Sequence, residues 1–433
     1  MSSPDSNRSD ALAVVRKLCD AGHVAYFAGG CVRDLLLGKS PGDYDVATDA
    51  PPARVRKLFI NTQAVGAAFG VILVRIGTST IEVATFRADE EYRDGRHPVA
   101  VRFTSAGEDA RRRDFTINGL FLDPLAPPDH DRIIDFVGGR DDLAAGVIRA
   151  IGNPTERFDE DSLRLLRAVR FAARLGFTIE PATAAAIAAH APQLKRITPE
   201  RIADELRHML TASTRAAAWQ LLLDLHLAPE IFRFLPPRAT PPRSGRIPPV
   251  FELLSSNQPT SFGLSLAAAY LSYRTATDLT ELLAPPSIKS ATRAMRQALR
   301  ISNEESADFA GTLDGLHLLL TDPPPGIVQQ KRFLARPTAP STRQLLAALA
   351  AAGLLPANRA IVLESELARL SKTDYAPTPL LTGDHLIAMG LKPGRQFKRI
   401  LDAVYDSQLA GAIQTLEEAR QFAQRLSNAR FAK

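Results

Sequence analysis

The sequence predicts a mixed domain of strands and helices over residues 1–150, followed by a chain that is helical to its end. Three observations carry that reading. Short runs rich in β-branched and aromatic residues alternate with helical patterns through the early, glycine-rich part of the chain. From about residue 155 the texture turns amphipathic or Ala-rich, and no convincing strand follows. With 433 residues the chain is too long for one core, and roughly two to four domains are expected.

In chain order, ALAVVRKLCDAG at 11–22 spaces its apolar residues as a helix does. VAYFAGG at 24–30 reads as a strand ending in a glycine turn, and CVRDLLLG continues as a helix. YDVAT at 44–48 is a strand and PARVRKLF at 52–59 a helix. FGVILVRIG at 69–77 and TIEVATFR at 80–87 are strands, and IIDFVGGRDDL at 133–143 adds a strand with a Gly-Gly turn. This mixture implies an α/β or α+β domain. SLRLLRAVRFAARLGF, ATAAAIAAH, PERIADELRHML and RAAAWQLLLDLHLAPEIF are helices. FLPPRATPPRSGRIPP at 234–249 breaks any helix, DPPPG at 322–326 and ARPTAPST at 335–342 punctuate again, and a last helical unit opens at Ala376. The expected segments are 1–150, 151–233, 234–375 and 376–433.

Composition narrows the class. Apolar residues at 45% and charged residues at 23% are ordinary for a globular protein. Lys and Arg number 53 against 47 Asp and Glu, a net +6 that is compatible with a polyanionic partner without requiring one. Two cysteines, Cys19 and Cys31, exclude a disulfide framework or a Cys-rich zinc module and suit a reducing, cytoplasmic setting. The polar start MSSPDSNRSD reads as no signal peptide, and no apolar run approaches ~18 residues, so no membrane span is expected. No protein partner is evident.

Three constellations carry chemistry. In FAGGCVRDLLLG, Gly29 and Gly30 stand at a strand-to-helix junction, either a plain turn or an anion site with Arg33 as its charge. In Asp43-Tyr44-Asp45, strand geometry sends both carboxylates to one side. Two facing carboxylates repel unless a cation lies between them, and Mg2+ meets that need; a solvated pair at a strand end is the bland reading. Glu82, on another strand, is a candidate third carboxylate. Two metals held this way would activate a hydroxyl and neutralise a triphosphate, which points to nucleotidyl transfer. In RRRDFTINGLFLDP, Arg111, Arg112 and Arg113 precede Asp114 and an apolar run, either as a solvated face or as a phosphate clamp. In DEDSLRLLRAVRF, Glu160, Asp161, Arg164, Arg167 and Arg170 read as one helix, with Asp161, Arg164 and Arg167 near one face. A surface salt-bridge ladder would account for that spacing. So would base choice: an aspartate accepts from an exocyclic amino group while an arginine donates to the adjacent ring nitrogen, which accepts C and A and refuses U and G.

Taken in order, GGCVRDLLLG, GDYDVAT, IEVATFR, RRRDFTING and EDSLRLLRAVRFAARLGF resemble the class II tRNA nucleotidyltransferases and the related bacterial poly(A) polymerases of the polymerase-β-type superfamily. They span roughly residues 25–180, and TPERIADELRHML at 198–210 is similar to the family's next helical motif. The resemblance implies an α+β polymerase-β-type catalytic head followed by an all-helical neck, body and tail. It implies that Asp43 and Asp45 bind the metal, with Glu82 a less secure carboxylate of the catalytic set. It implies that Gly29, Gly30, Arg33 and Arg113 contact the nucleotide, that Asp161 and Arg164 select the base, and that Arg167 and Arg170 contact the nucleotide further. The implied substrates are tRNA, CTP and ATP, with Mg2+ as cofactor. ADEEYRDGRHP at 88–98, with Tyr92, Asp94 and Arg96, looks like the mobile loop of full CCA-adding members. TGDHLIAMGLKPGRQFKRIL looks like their tail, a helix–turn–helix with Lys392, Gly394, Arg395, Lys398 and Arg399 suited to an RNA backbone. Gly119 departs from the family's usual alanine or serine, and 234–345 matches no motif. The alternatives are poly(A) polymerase, a CC-only or A-only enzyme, a non-catalytic RNA-binding relative, or a transferase acting on small molecules.

Overall fold

The computed structural model describes residues 4–66, 70–92, 98–127, 129–235, 250–254, 260–273 and 279–428. The chain forms two compact units, Met1–Arg233 and Phe234–Lys433.

The first unit opens with helix α1 (Pro4–Asp20), whose Ala11, Val14, Val15 and Leu18 are fully buried. Strand β1 (Ala25–Ala28) leads through Gly29 into α2 (Gly30–Leu36), then β2 (Val46–Thr48) and α3 (Pro52–Leu58). Strands β3 (Thr62–Gly66), β4 (Val71–Ile76) and β5 (Ser79–Thr85) follow, and β6 (Arg87–Tyr92) pairs with β7 (Pro98–Phe103) as a separate hairpin. Along β5, Ile81 and Val83 point inward while Thr80 and Glu82 are exposed, the two-residue period of a half-buried strand. Next come α4 (Ala106–Arg111), a 3-10 turn (Thr116–Asn118), β8 (Phe121–Leu122), β9 (Ile133–Ile134), α5 (Gly139–Ala145) and β10 (Val147–Ile148). The main sheet runs β3-β4-β5-β2-β1-β8-β9; β2–β5 is its parallel pair and its other pairs are antiparallel. This is the mixed domain the sequence predicts, in its α+β form.

The rest of this unit is helical: α6 (Pro154–Glu160), α7 (Leu163–Leu175), α8 (Pro181–His190), α9 (Pro199–Leu210), α10 (Arg215–Asp224) and α11 (Leu227–Ile231). Helix α7 buries Leu165, Leu166, Ala168, Val169 and Ala172 and packs on α9 and α10. Three details differ from the sequence reading. A two-residue strand, β11 (Thr178–Ile179), lies beyond residue 155 and pairs in parallel with β10, too short to leave a periodic signal. Asp43 and Asp45 precede β2 rather than opening it, although the Ala28 N–H donates to the Asp45 carbonyl at 3.0 Å. The segment from Glu160 to Arg170 is not one helix, because Asp161 is extended between α6 and α7. Its carboxylate accepts the Leu163 N–H at 3.0 Å while Ser162 donates to the Phe158 carbonyl, and these local bonds compete with helix continuation.

The second unit holds α12 (Val250–Leu253), α13 (Phe262–Tyr273), α14 (Leu279–Leu282), α15 (Pro285–Leu299), α16 (Asn303–Leu319), α17 (Ile327–Leu334), α18 (Ala339–Ala351) and α19 (Ala357–Leu370). Nearly every residue of α13 is buried, which marks it as the core helix of this unit. Helices α20 (Gly383–Ala388), α21 (Arg395–Leu409) and α22 (Leu416–Asn428) enclose their own apolar cluster of Leu386, Ile400, Val404 and Ala423. The Pro-rich stretch lies largely outside the described residues. Among those described, no helix is long and apolar enough to cross a membrane.

Candidate active site

Gly29 ends β1 at a φ of +70°, where an L side chain is strained, and a Cβ there would come within 2.9 Å of the Arg113 guanidinium. The chain can therefore turn from β1 into α2 beneath a cationic side chain only with glycine at this point. Just beyond, Asp43, Tyr44 and Asp45 alternate exposed, buried, exposed, so the two carboxylates share a side while Tyr44 packs against Phe27. The β2–β5 register pairs Val46 with Val83, and one step back brings Asp45 beside Glu82. Protein packed around Asp45, then Glu82 and Asp43 as like charges, lift its pKa to about 6 against the opposing pull of Arg113. The carboxylate opens into a cleft rather than into bulk water, which is why an accessible group is still desolvated.

That cleft, of about 530 Å³, is lined by Gly29, Gly30, Arg33, Asp45, Arg113, Asp161, Arg164, Arg167 and Arg170 together. Asp43 and Glu82 do not line it; they act on Asp45 from alongside. Arg112, Asp114, Asn118, Leu163, Phe171, Arg174 and Arg201 complete the wall.

The cationic side chains are held, not loose. Arg33, almost fully buried, donates to Asp34 at 2.7 and 2.8 Å and to the Asn118 side-chain oxygen at 2.7 Å. Arg113 is gripped by Asp109 at 3.0 Å and lies over the Phe121 ring. Arg167 pairs with buried Asp114 at 2.6 Å. Burial opposes ionisation of Asp114, yet Arg167, the Asn118 amide and the Phe115 N–H together hold its pKa at about 2. Arg170 and Glu205 of α9 form an ion pair at 2.7 Å whose angle is poor for a hydrogen bond. The Phe171 ring lies beneath Arg33, Arg167 and Arg170, at 5.2, 5.2 and 4.7 Å.

Asp161 and Arg164, expected to act as a pair on the base, have a different arrangement from the one their spacing suggests. Asp161 pairs with Arg201 of α9 at 2.9 Å, whereas Arg164 donates to Glu160 at 2.5 Å and to the carbonyls of Arg157 and Arg112. Arg201 was not legible in the sequence. It stands 40 residues from Asp161, early in an amphipathic helix, where an arginine reads as a solvated face. Phe171 carried only the signal of an apolar helix position. Residues 93–97 of the loop that resembles CCA-adding members, with Asp94 and Arg96, lie outside the described residues, as does the side chain of Tyr92.

The donors available to a metal ion are carboxylate oxygens, the hard ligands that Mg2+ prefers. Among the described residues, Asp43, Asp45 and Glu82 make no ion pair or side-chain hydrogen bond, although Arg113 opposes the rise in the Asp45 pKa. No group of three or more His, Cys, Asp or Glu among the described residues could hold a metal ion unaided. Mg2+ is commonly bound through one or two carboxylates with the remaining ligands from water and substrate phosphates.

Residues 25–149 match the family described as "Poly A polymerase head domain", and residues 176–237 match "Probable RNA and SrmB- binding site of polymerase A". The chain is 42% identical to a CCA-adding enzyme of Bacillus subtilis over 51% of this chain and 55% of that protein. It is 44% identical to poly(A) polymerase I of Escherichia coli O157:H7 over 52% and 50%. In both cases the match spans about half of the relative's length. A CCA-adding enzyme of Lacticaseibacillus paracasei is 34% identical over 93% of this chain and 92% of its own. Among solved structures, the Bacillus stearothermophilus CCA-adding enzyme in complex with CTP superposes with a TM-score of 0.69 at 29% identity, covering all of both chains. The Thermotoga maritima CCA-adding enzyme complexed with tRNA shares the fold at TM-score 0.67 and 20% identity, covering 98% of this chain and 96% of that one. These matches bear out the polymerase-β-type head expected from the motifs. The likeness to the Lacticaseibacillus enzyme runs almost end to end, and the chain belongs to the nucleotidyltransferase family that comprises the CCA-adding enzymes and the bacterial poly(A) polymerases.

Proposed function

We propose that this enzyme adds CCA to the 3′ ends of tRNA from CTP and ATP without a template. The observation that carries the proposal is the convergence of Asp45, Arg113, Asp161 and Arg164 on one cleft: a carboxylate for the reacting phosphate and a donor–acceptor set for the base. The near full-length likeness to a CCA-adding enzyme supports it.

In this reading Arg113, Arg167 and Arg170 hold the triphosphate, and their partners Asp109, Asp114 and Glu205 fix them before substrate arrives. Asp161 and Arg164 accept the amino group and meet the ring nitrogen of C or A. Asp43 and Asp45 would hold Mg2+, with Glu82 beside them; the ion supplies charge neutralisation of the phosphates and a lowered pKa for the terminal hydroxyl. The 3′ oxygen of the RNA bonds to the α-phosphorus, the bond from that phosphorus to the α–β bridging oxygen breaks, and diphosphate leaves. The hydroxyl proton passes to the carboxylate side of the cleft or to water.

Poly(A) synthesis is the second reading, favoured by 44% identity to poly(A) polymerase I over the catalytic half. A tRNA ending before its CCA, incubated with CTP alone, ATP alone or both and read at single-nucleotide resolution, decides between them. CCA addition requires two cytidines from CTP alone and a single adenosine after them. Long A tails without use of CTP would transfer the protein to the second reading. Addition stopping after CC, or of A only onto a CC end, would make it a split-activity enzyme. Asp43→Ala and Asp45→Ala should each abolish incorporation while leaving the folded signal intact, and retained turnover in either would sink the carboxylate assignment.

A further inference from the structure

A second cleft, of about 790 Å³, lies wholly within the second unit, between α15 and α16. Its wall on α15 is basic. Lys289, Arg293, Arg296 and Arg300 follow one another at intervals of four, three and four residues, which places them on one face. The opposite face, Ile288, Ala291, Met295 and Leu299, is buried, so the helix is fixed and the cations project from a rigid edge. All four line the cleft, and among the described residues none has an ion pair or side-chain hydrogen bond. That sets them apart from Arg113, Arg164, Arg167 and Arg170 of the first cleft, which are held by carboxylates, and from Arg332 and Arg343 in their own unit, paired with Asp406 and Glu364.

Arg300 adds an independent observation. It caps α15 at φ 50°, ψ 35°, a left-handed position where glycine is the unstrained choice. Among the described residues only His226 shares a positive φ without being glycine. The guanidinium is kept where the backbone favours no side chain, the pattern of strain retained at a binding site. Burial pushes up the pKa of Asp314, the carboxylate on the opposite wall, against the pull of Arg336 and His317 rather than of these four.

We infer that this cleft is a docking track for the sugar–phosphate backbone of the RNA being extended. The four cations span twelve residues, about 16 Å of helix, in steps near one turn of about 5.4 Å. Such a row matches a chain of regularly spaced phosphates better than a single compact anion. The segment lies outside both family matches, which end at residues 149 and 237. The choice of RNA over another polyanion rests on the proposed transfer reaction; the cleft itself does not touch that chemistry.

The test uses the full-length enzyme, a fluorescent tRNA transcript ending before its CCA, and a salt titration. Arg293→Ala with Arg296→Ala should lower RNA affinity about tenfold or more near 0.1 M salt and flatten the dependence of log K on log salt by about 1.4–1.8, since each lost phosphate contact removes about 0.7–0.9. Turnover at saturating RNA should stay as in the wild type, with KM for RNA raised. Arg300→Gly should weaken RNA binding and yet raise Tm, because glycine relieves the backbone while removing the charge. Unchanged affinity and slope, or lost affinity with an unchanged slope, overturns the inference. Loss of binding to phosphatidylserine vesicles with RNA binding intact overturns it as well. The two readings fail separately. RNA held through this cleft with no CTP incorporated sinks the transfer reading alone, whereas full incorporation with affinity indifferent to these variants sinks the docking track alone.

Discussion

At the scale of single residues, the cleft shows positive charge stored on preformed partners. Phe171 supports three guanidinium groups on one ring, and Asp114 fixes Arg167 from beneath. Asp114 carries a stability signature. Its folded pKa of about 2 lies below its ordinary 3.8, so the ionised form is the one the fold favours. Linkage gives about 2 kcal/mol, present above pH ~4 and lost as pH falls toward ~2. Urea unfolding of the wild type near pH 7 and near pH 3 should show part of that loss, while Asp114→Asn should start less stable and lose less on acidification. Equal pH dependence in both proteins would refute the assignment. Arg201 sets a different expectation. It holds Asp161 in place without belonging to the proposed base-selecting pair, so Arg201→Ala should lower kcat/KM for CTP and ATP by roughly 10–100-fold through misplacement of the carboxylate. Misincorporation of UTP should rise at the same time, whereas a purely structural role would slow all nucleotides alike. Steady-state kinetics with each triphosphate separates the two.

At the scale of elements, the 3-10 turn Thr116–Asn118 joins the sheet to the cleft. Asn118 accepts from Arg33 and donates to Asp114, and the Thr116 hydroxyl donates to Asp142 on α5 at 2.7 Å. Helix α5 meets the turn through Gly139, where a Cβ would strike the Thr116 carbonyl oxygen and lie 2.9 Å from its carbonyl carbon. Backbone meets backbone there, so no side chain can swing aside. Gly139→Ala should cost about 3 kcal/mol, which for a unit of this size is a fall of roughly 6–12 °C in Tm. It should also slow incorporation, because Arg33 and Asp114 both depend on Asn118. A variant with wild-type Tm would show that the turn can yield. How far such elements were legible follows from the range of their signals. The strands at 25–28, 71–76 and 79–85 announce themselves through local alternation, and of the residues that the motifs singled out, Asp45 lines one cleft with the arginines while Asp43 and Glu82 do not. The break at Asp161 was hidden because the flanking residues keep a helical pattern, and the local bonds of Asp161 to Leu163 and of Ser162 to Phe158 mark the separation of α6 from α7. Strands β10 and β11 are too short to carry a period, and the Asp161–Arg201 pair spans 40 positions, beyond any window of local spacing.

At the scale of the whole molecule, the net +6 resolves into separate uses of charge. The first cleft pairs most of its arginines with carboxylates, the cations along α15 have no ion pair among the described residues, and residues 386–433 carry eight Lys and Arg against four Asp and Glu. The units that hold these features are compact on their own terms: the core of Met1–Arg233 centres on the sheet and α7, and that of Phe234–Lys433 on α13. Units with separate cores melt as separate cooperative transitions unless a large apolar interface couples them. Nucleotide contacts in the proposed reaction all come from the first unit, and a ligand stabilises only the native state that binds it. Calorimetry should therefore resolve two transitions, of which Mg2+ with CTP raises one. At a hundredfold excess over Kd the gain is about 2.7 kcal/mol for that unit and nothing for the other. Asp45→Ala should weaken the shift in the responsive transition and leave the other at its wild-type temperature. If both transitions moved together with CTP, the units would be thermodynamically coupled.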